Sequence, residues 1–139
     1  MTAPPSRPLS PHLTIWKWGP HMLVSILHRM TGIALTIAGL ALLTWWLFAI
    51  ASGAPAYEQF ATVAAHPVGI AVLVGLTWAF WQHTFSGLRH LFLDMGAGYE
   101  LKTNRLFAVL TIVAAVAATV VTWAILTGFL SALLSGEVR

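Results

Sequence analysis

The chain alternates between long apolar runs and short polar breaks, and the runs are too long for an ordinary soluble core. Three apolar stretches lie at about 22–50, 68–93 and 105–134, each exceeding the ~20 residues a helix needs to cross a bilayer. The excess predicts tilt, or helix projecting beyond the hydrocarbon. Ahead of them, residues 1–20 contain Pro4, Pro5, Pro8, Pro11 and Pro20, which predict an irregular arm. That arm ends on Trp16 and Trp18, residues suited to the membrane–water boundary. A turn-rich loop, Ser52-Gly53-Ala54-Pro55-Ala56-Tyr57-Glu58, separates the first two stretches, and Gly96 to Arg105 separates the second two. The expected fold is all-α and integral to the membrane. It is one anchor domain over residues 1–139, with three transmembrane helices behind an irregular N-terminal arm at 1–20.

Composition agrees with the pattern. Of 139 residues, 58% are hydrophobic and 8% are charged, against roughly 25% charged in a soluble domain. There is no cysteine, which excludes disulfides, thiolate metal sites and Cys-ligated iron–sulfur clusters within this chain. A net charge of +3 is too small and too dispersed to point to nucleic acid. Its placement predicts topology instead. Arg7 and Lys17 precede the first span, Lys102 and Arg105 occupy the second loop, the first loop has no cation, and the tail has Arg139. The positive-inside rule then puts the N-terminus and second loop in the cytoplasm. No signal-peptide pattern opens the chain, because a proline-rich start replaces the basic region and apolar run.

Against this apolar background the polar residues inside the spans carry the information. Arg29 lies two turns into the first span, within Ser25-Ile26-Leu27-His28-Arg29-Met30-Thr31-Gly32. A cation at mid-membrane costs roughly 2.5–3.5 kcal/mol on insertion scales, less near an interface. It calls for an anionic ligand, a cofactor carboxylate or a partner subunit, or in the plainest case for lipid phosphates reached by snorkelling. Ser25, His28, Arg29 and Gly32 share one helix face.

A second cluster, His83-Thr84-Phe85-Ser86-Gly87-Leu88-Arg89-His90, lies near the end of the second span, so both clusters fall on the predicted cytoplasmic side. His83 is the best metal-ligand candidate, since a helix holds an imidazole rigidly toward haem iron. Gly87, one turn on, opens the same face for a flat macrocycle. His90 lies about 10.5 Å further along the axis, whereas two axial nitrogens sit only ~4 Å apart across a metal. His83 and His90 cannot share one iron, so a second ligand comes from His28 or from another chain. The plainer readings are a packing role for His83 and an interfacial one for Arg89 and His90, with His90 able to pair with Asp94. The third span has small residues at Ala114, Ala115, Ala117 and Ala118, no ionisable group at depth, and reads as scaffold. His12, His21 and His66 lie in arms and loops, with no role assigned.

Three motifs together resemble one family. Arg7-Pro8-Leu9-Ser10-Pro11-His12-Leu13 resembles the N-terminal signature of the cytochrome b (C) subunits of succinate dehydrogenase, respiratory complex II. Ser25 to Gly32 matches their first-helix pattern S-x-x-H-R-x-[ST]-G, and His83 to Asp94 matches H-x-x-x-G-x-R-H-x-x-x-D. Order, spacing and the three-span layout extend the likeness over nearly the whole chain. Trp16 stands where the family commonly has tyrosine.

The resemblance implies that His83 is one axial ligand of a haem b shared with a second membrane-anchor (D) subunit, which supplies the other. It implies that Ser25 and Arg29 line a ubiquinone site, and that His28, Arg29 and His90 lie near the haem propionates. An iron–sulfur subunit, a flavoprotein subunit and the phospholipid bilayer are the implied partners. This chain would belong to a succinate:quinone oxidoreductase without supplying a catalytic residue. Its expected place is a bacterial cytoplasmic membrane, or the mitochondrial inner membrane in a eukaryote. The competing expectations are a quinol:fumarate reductase anchor and a haem-free structural anchor. A small transporter would need polar residues through the full membrane depth, and here they gather at one side.

Overall fold

Every regular element among the described residues is helical, and proline sets where three of the helices start. The structure, a computed structural model, describes residues 18–135, apart from the side chains at 129, 130, 133 and 134. The expectations that rest on Arg7, His12, Trp16, Lys17 and Arg139 lie outside the described residues. Helix α1 (Pro20–Ala34) begins at a proline behind an extended Gly19, where a missing N–H costs nothing. It runs on through a π-helical turn (Leu35–Gly39) into α2 (Leu40–Ala51), so one rod spans Pro20–Ala51. Helix α3 (Ala54–Ala65) fills what reads as a turn-rich loop. Pro55 there starts a helix; it does not break one.

Helix α4 (Pro67–Asp94) begins at Pro67, and His66 Nδ1 accepts from the Val68 N–H at 3.3 Å, capping the helix start. Gly69 lets α3 and α4 meet closely, because a Cβ there would stand 2.2 Å from the Val63 carbonyl oxygen. Helix α5 (Leu101–Ser135) starts a turn earlier than the apolar run does. The rod, α4 and α5 are each long and apolar enough to cross a membrane.

The bundle is inverted relative to a soluble protein. Its buried seam comprises Val24 and Thr31 on α1, Ala79, Gln82, Ser86 and Arg89 on α4, and Ala108, Thr111, Ala115 and Thr119 on α5. On α4 these recur at intervals of three and four, the spacing of a single helix stripe. Small and polar side chains at helix contacts fit a bilayer setting, where lipid is as apolar as leucine and gives no reason to bury it. The α5 stripe uses Ala115, one of the four expected alanines, but runs through Ala108, Thr111 and Thr119, while Ala117 is exposed. Thr111 and Thr119 donate to the carbonyls four residues back at 2.8 Å, which satisfies their hydroxyls within the helix. α1 packs on α4 and α5, whereas α2 meets no helix beyond the rod except α3. Trp45 on α2 seats α3 edge-on against Phe60, ring centroids 4.9 Å apart.

Candidate functional site

Antiparallel packing of α1 on α4 brings the start of one polar cluster to the end of the other. His28 and His83 stack, with ring centroids 4.0 Å apart and planes 8° from parallel, and His28 also meets His90 at 5.1 Å. His28 thus lies between His83 and His90, over the gap that Gly87 leaves. A Cβ at Gly87 would stand 3.9 Å from His28 Cε1, an ordinary contact. The His28 imidazole thus borders the opening that Gly87 leaves on this face of α4. The tighter approach is at Gly32, where a Cβ would come within 3.0 Å of His83 Cε1. A Cβ at position 32 would require the His83 ring to give by a few tenths of an ångström.

The backbone of α1 fixes the state of His83. Its Nδ1 lies 3.1 Å from the His28 carbonyl oxygen, which can only accept, so Nδ1 carries the proton. Thr31 Oγ1 lies 3.3 Å from the same nitrogen while its own hydroxyl donates to the Leu27 carbonyl at 2.7 Å. The hydroxyl proton is engaged there, leaving an oxygen lone pair toward His83. Nε2 is then the unprotonated nitrogen, and it has no hydrogen-bond partner among the described residues. A ring tied down through one nitrogen, with a lone pair on the other, has the form of a metal-ligating histidine.

His83 lines a groove of about 600 Å³ together with His28, Arg29, Gly32, Ile33, Thr36 and Ile37. Thr36 and Ile37 belong to the π-helical turn, a feature that recurs at functional sites. Arg29 is exposed on the groove, and Ser25 is half-buried one turn earlier. Neither has a hydrogen bond or ion pair among the described residues. Ser25, His28, Arg29, His83 and His90 therefore gather at one end of the bundle, with Arg29 and His83 opening on one groove and Ser25 beside it.

In this arrangement His28 and His83 are stacked and not set to converge on one metal. A metal lies in the plane of each imidazole that binds it, and two parallel rings 4.0 Å apart share no such point. Among the described residues no group of three His, Cys, Asp or Glu side chains can hold a metal ion. His90 faces His28, and no His90–Asp94 pair forms. Arg89, which reads as interfacial, is 7% exposed and donates to Asn104 Oδ1 across the α4–α5 turn. Sequence reasoning gave Thr31 no role and passed over His66. A hydroxyl that bonds its own helix has no composition signal, but a His-Pro pair opening an apolar run could have marked His66 as a cap.

Comparison with known proteins finds relatives over most of the chain. The family described as succinate dehydrogenase/fumarate reductase transmembrane subunit matches residues 3–122. The chain belongs to that family. It is 42% identical to the succinate dehydrogenase cytochrome b556 subunit of Paracoccus denitrificans over 97 residues, covering 70% of this chain and 74% of that one. The subunit of the same name from Rickettsia felis is 37% identical over 117 residues, or 84% and 90% of the two chains. The mitochondrial cytochrome b560 subunit of Homo sapiens is 36% identical over 100 residues, 69% of this chain and 57% of that one. The chain is thus a multi-pass membrane-anchor subunit similar to the cytochrome b subunits of succinate dehydrogenase.

Proposed function

We propose that this subunit holds one side of a haem b and one wall of a ubiquinone-reduction site. The observation that carries the reading is His83, which lines the groove, has its Nδ1–H anchored on the His28 carbonyl and keeps a lone pair on Nε2. That donor fits haem iron, and the groove beside it is mostly apolar, as a porphyrin requires. A second ligand to the iron would come from a second membrane-anchor (D) subunit, since His28 is stacked on His83 and His90 is too far along the helix. When bound, haem b supplies a one-electron redox centre.

The chain's own residues then divide the remaining work. His28, His90 and Arg29 offer polar contacts to the haem propionates. Ser25 and Arg29 face a ubiquinone carbonyl: the hydroxyl donates to its oxygen, and the guanidinium stabilises negative charge as electrons arrive. Reduction to ubiquinol takes two electrons and two protons. The electrons come from succinate through the flavoprotein and iron–sulfur subunits. With positive-inside topology the site lies on the cytoplasmic side of a bacterial inner membrane, near water that supplies the protons.

The test is a dithionite-reduced-minus-oxidised visible spectrum of the complex purified through this chain, beside His83→Ala. A low-spin b-type band that disappears or turns high-spin in the variant is the expected result. An unchanged band moves the ligand elsewhere, and no band in the wild type leaves a haem-free anchor.

A further inference from the structure

Arg89, one residue before His90 on α4, is a buried cation without a counter-ion among the described residues. It is 7% exposed; one amino group donates to Asn104 Oδ1, while Nε is buried with no partner among the described residues. Neither Asp94 nor Glu100, the acids nearest in sequence, forms an ion pair with it, and Glu58 belongs to α3 at the far end of α4. Glu137, the fourth acid, lies outside the described residues. A guanidinium stays charged at any working pH, and a buried charge is retained only where something compensates it.

The same residue heads a groove of about 310 Å³ between α4 and α5. Its walls are Phe85, Leu88, Phe92, Phe107 and Leu110, and it continues inward to Ala114. Leu88, Phe92 and Leu110 are about half exposed, so the groove faces the surroundings of the bundle and not its core. Arg89 lies five residues before the end of α4, about 7.5 Å along the axis, close to the depth of lipid phosphates. Lys102 and Arg105 are exposed in the first turns of α5 beside it.

We infer that this groove seats one anionic phospholipid of the leaflet at the α4–α5 turn. Arg89, held by Asn104, takes the phosphate, and an acyl chain lies along the aromatic wall toward Ala114. A cation at the head of an apolar slot matches an anion on an apolar tail, and the exposed Lys102 and Arg105 complement an acidic headgroup. A zwitterionic lipid brings its own cation to the phosphate and matches the unbalanced charge less well. This site is independent of haem and quinone occupancy.

The test uses the complex purified in detergent, stripped of lipid, and titrated with phosphatidylglycerol or phosphatidylcholine of identical chains, with bound lipids counted by native mass spectrometry. Wild type is expected to bind one phosphatidylglycerol about fivefold more tightly than phosphatidylcholine, because both offer a phosphate but only the anionic lipid leaves the Arg89 charge balanced without a headgroup cation. Arg89→Gln should lose that preference. Ala114→Trp should block the chain slot and weaken binding with Arg89 intact and the haem band unchanged, so the proposal stands or falls even if Arg89→Gln fails to assemble. Equal binding of the two lipids, or full competition by inorganic phosphate, overturns it. So does unaltered lipid stoichiometry in both variants, the result expected if an acidic side chain of a partner subunit pairs with Arg89.

Discussion

The two halves of the first rod are chemically opposite, although the chain crosses between them without leaving helix. α1 buries Val24 and Thr31 against α4 and α5 and carries Ser25, His28 and Arg29. α2 buries Ala49 alone and exposes Leu40, Leu43, Trp45, Trp46, Leu47, Phe48 and Ile50. In water the second half would be the sticky one. In a bilayer exposed leucine and phenylalanine are already solvated, and polar or small side chains drive association. Exposure therefore marks function only where the exposed group is polar and not bonded within its own helix; Arg29 meets both conditions, whereas the exposed Thr36 and Thr44 hydroxyls donate to their own helix.

The largest effect that tests this contrast is expected at Arg29. If Arg29 stabilises charge on a quinone oxygen, Arg29→Leu removes a charge-assisted hydrogen bond worth about 1.5–3 kcal/mol, or roughly 10–150-fold in kcat/KM for ubiquinone. Steady-state kinetics of the intact complex measure it. Unchanged kinetics would reduce Arg29 to a cation that meets lipid phosphates, and the two halves would then differ in packing alone.

Gly32→Val comes next. Its Cβ would press to 3.0 Å on His83 Cε1, and the branched side chain adds bulk beyond it. Overpacking of this kind costs about 1–3 kcal/mol, and here the ring has to rotate off the His28 carbonyl to relieve it. Haem content per subunit should fall while helical content stays constant, by pyridine haemochrome and circular dichroism. Full haem content would show that the ring position seen here is not the one the haem needs.

Thr31→Val is milder. It leaves the 3.1 Å bond from His83 to the His28 carbonyl and removes the hydroxyl at 3.3 Å. One neutral hydrogen bond contributes about 0.5–1.5 kcal/mol, so the haem should remain, with a small shift in midpoint potential and a slightly lower temperature of haem loss. No shift in either would remove Thr31 from the site.

How much of this could be read from the sequence follows from which interactions are local. The three spans were legible because apolar runs longer than the bilayer have one physical outcome. The polar clusters were legible as exceptions within them. Rotation of one helix against another was not, since it depends on neighbours. Gly87 reads as an opening on its helix face, and only the packing shows that His28 borders it and that Gly32 makes the close approach to His83. Arg89 reads as a residue near the membrane interface, but its burial against α5 and its bond to Asn104 depend on packing. The π-helical turn and the Thr31 hydroxyl depend on single backbone carbonyls, which leave no composition trace. α3 was missed because Pro55 and Gly53 are turn residues and helix starters alike, and only packing of Phe60 on Trp45 decides between the two.

The smallest effect is expected on α2, and it sharpens the comparison most. Phe48 is 67% exposed, so in the wild type its ring meets acyl chains, and after Phe48→Ala acyl chains fill the space. Surface substitutions away from packed or hydrogen-bonded features usually stay within about 0.5 kcal/mol, and thermal dissociation of the complex should move by no more than that corresponds to. The same substitution in a helix interface would leave a cavity at a cost of about 3–5 kcal/mol, enough to release a weakly held subunit. If Phe48→Ala stripped the second anchor subunit from the complex while haem-site variants did not, α2 would be the docking face. The apolar half of the rod would then be as specific as the polar half.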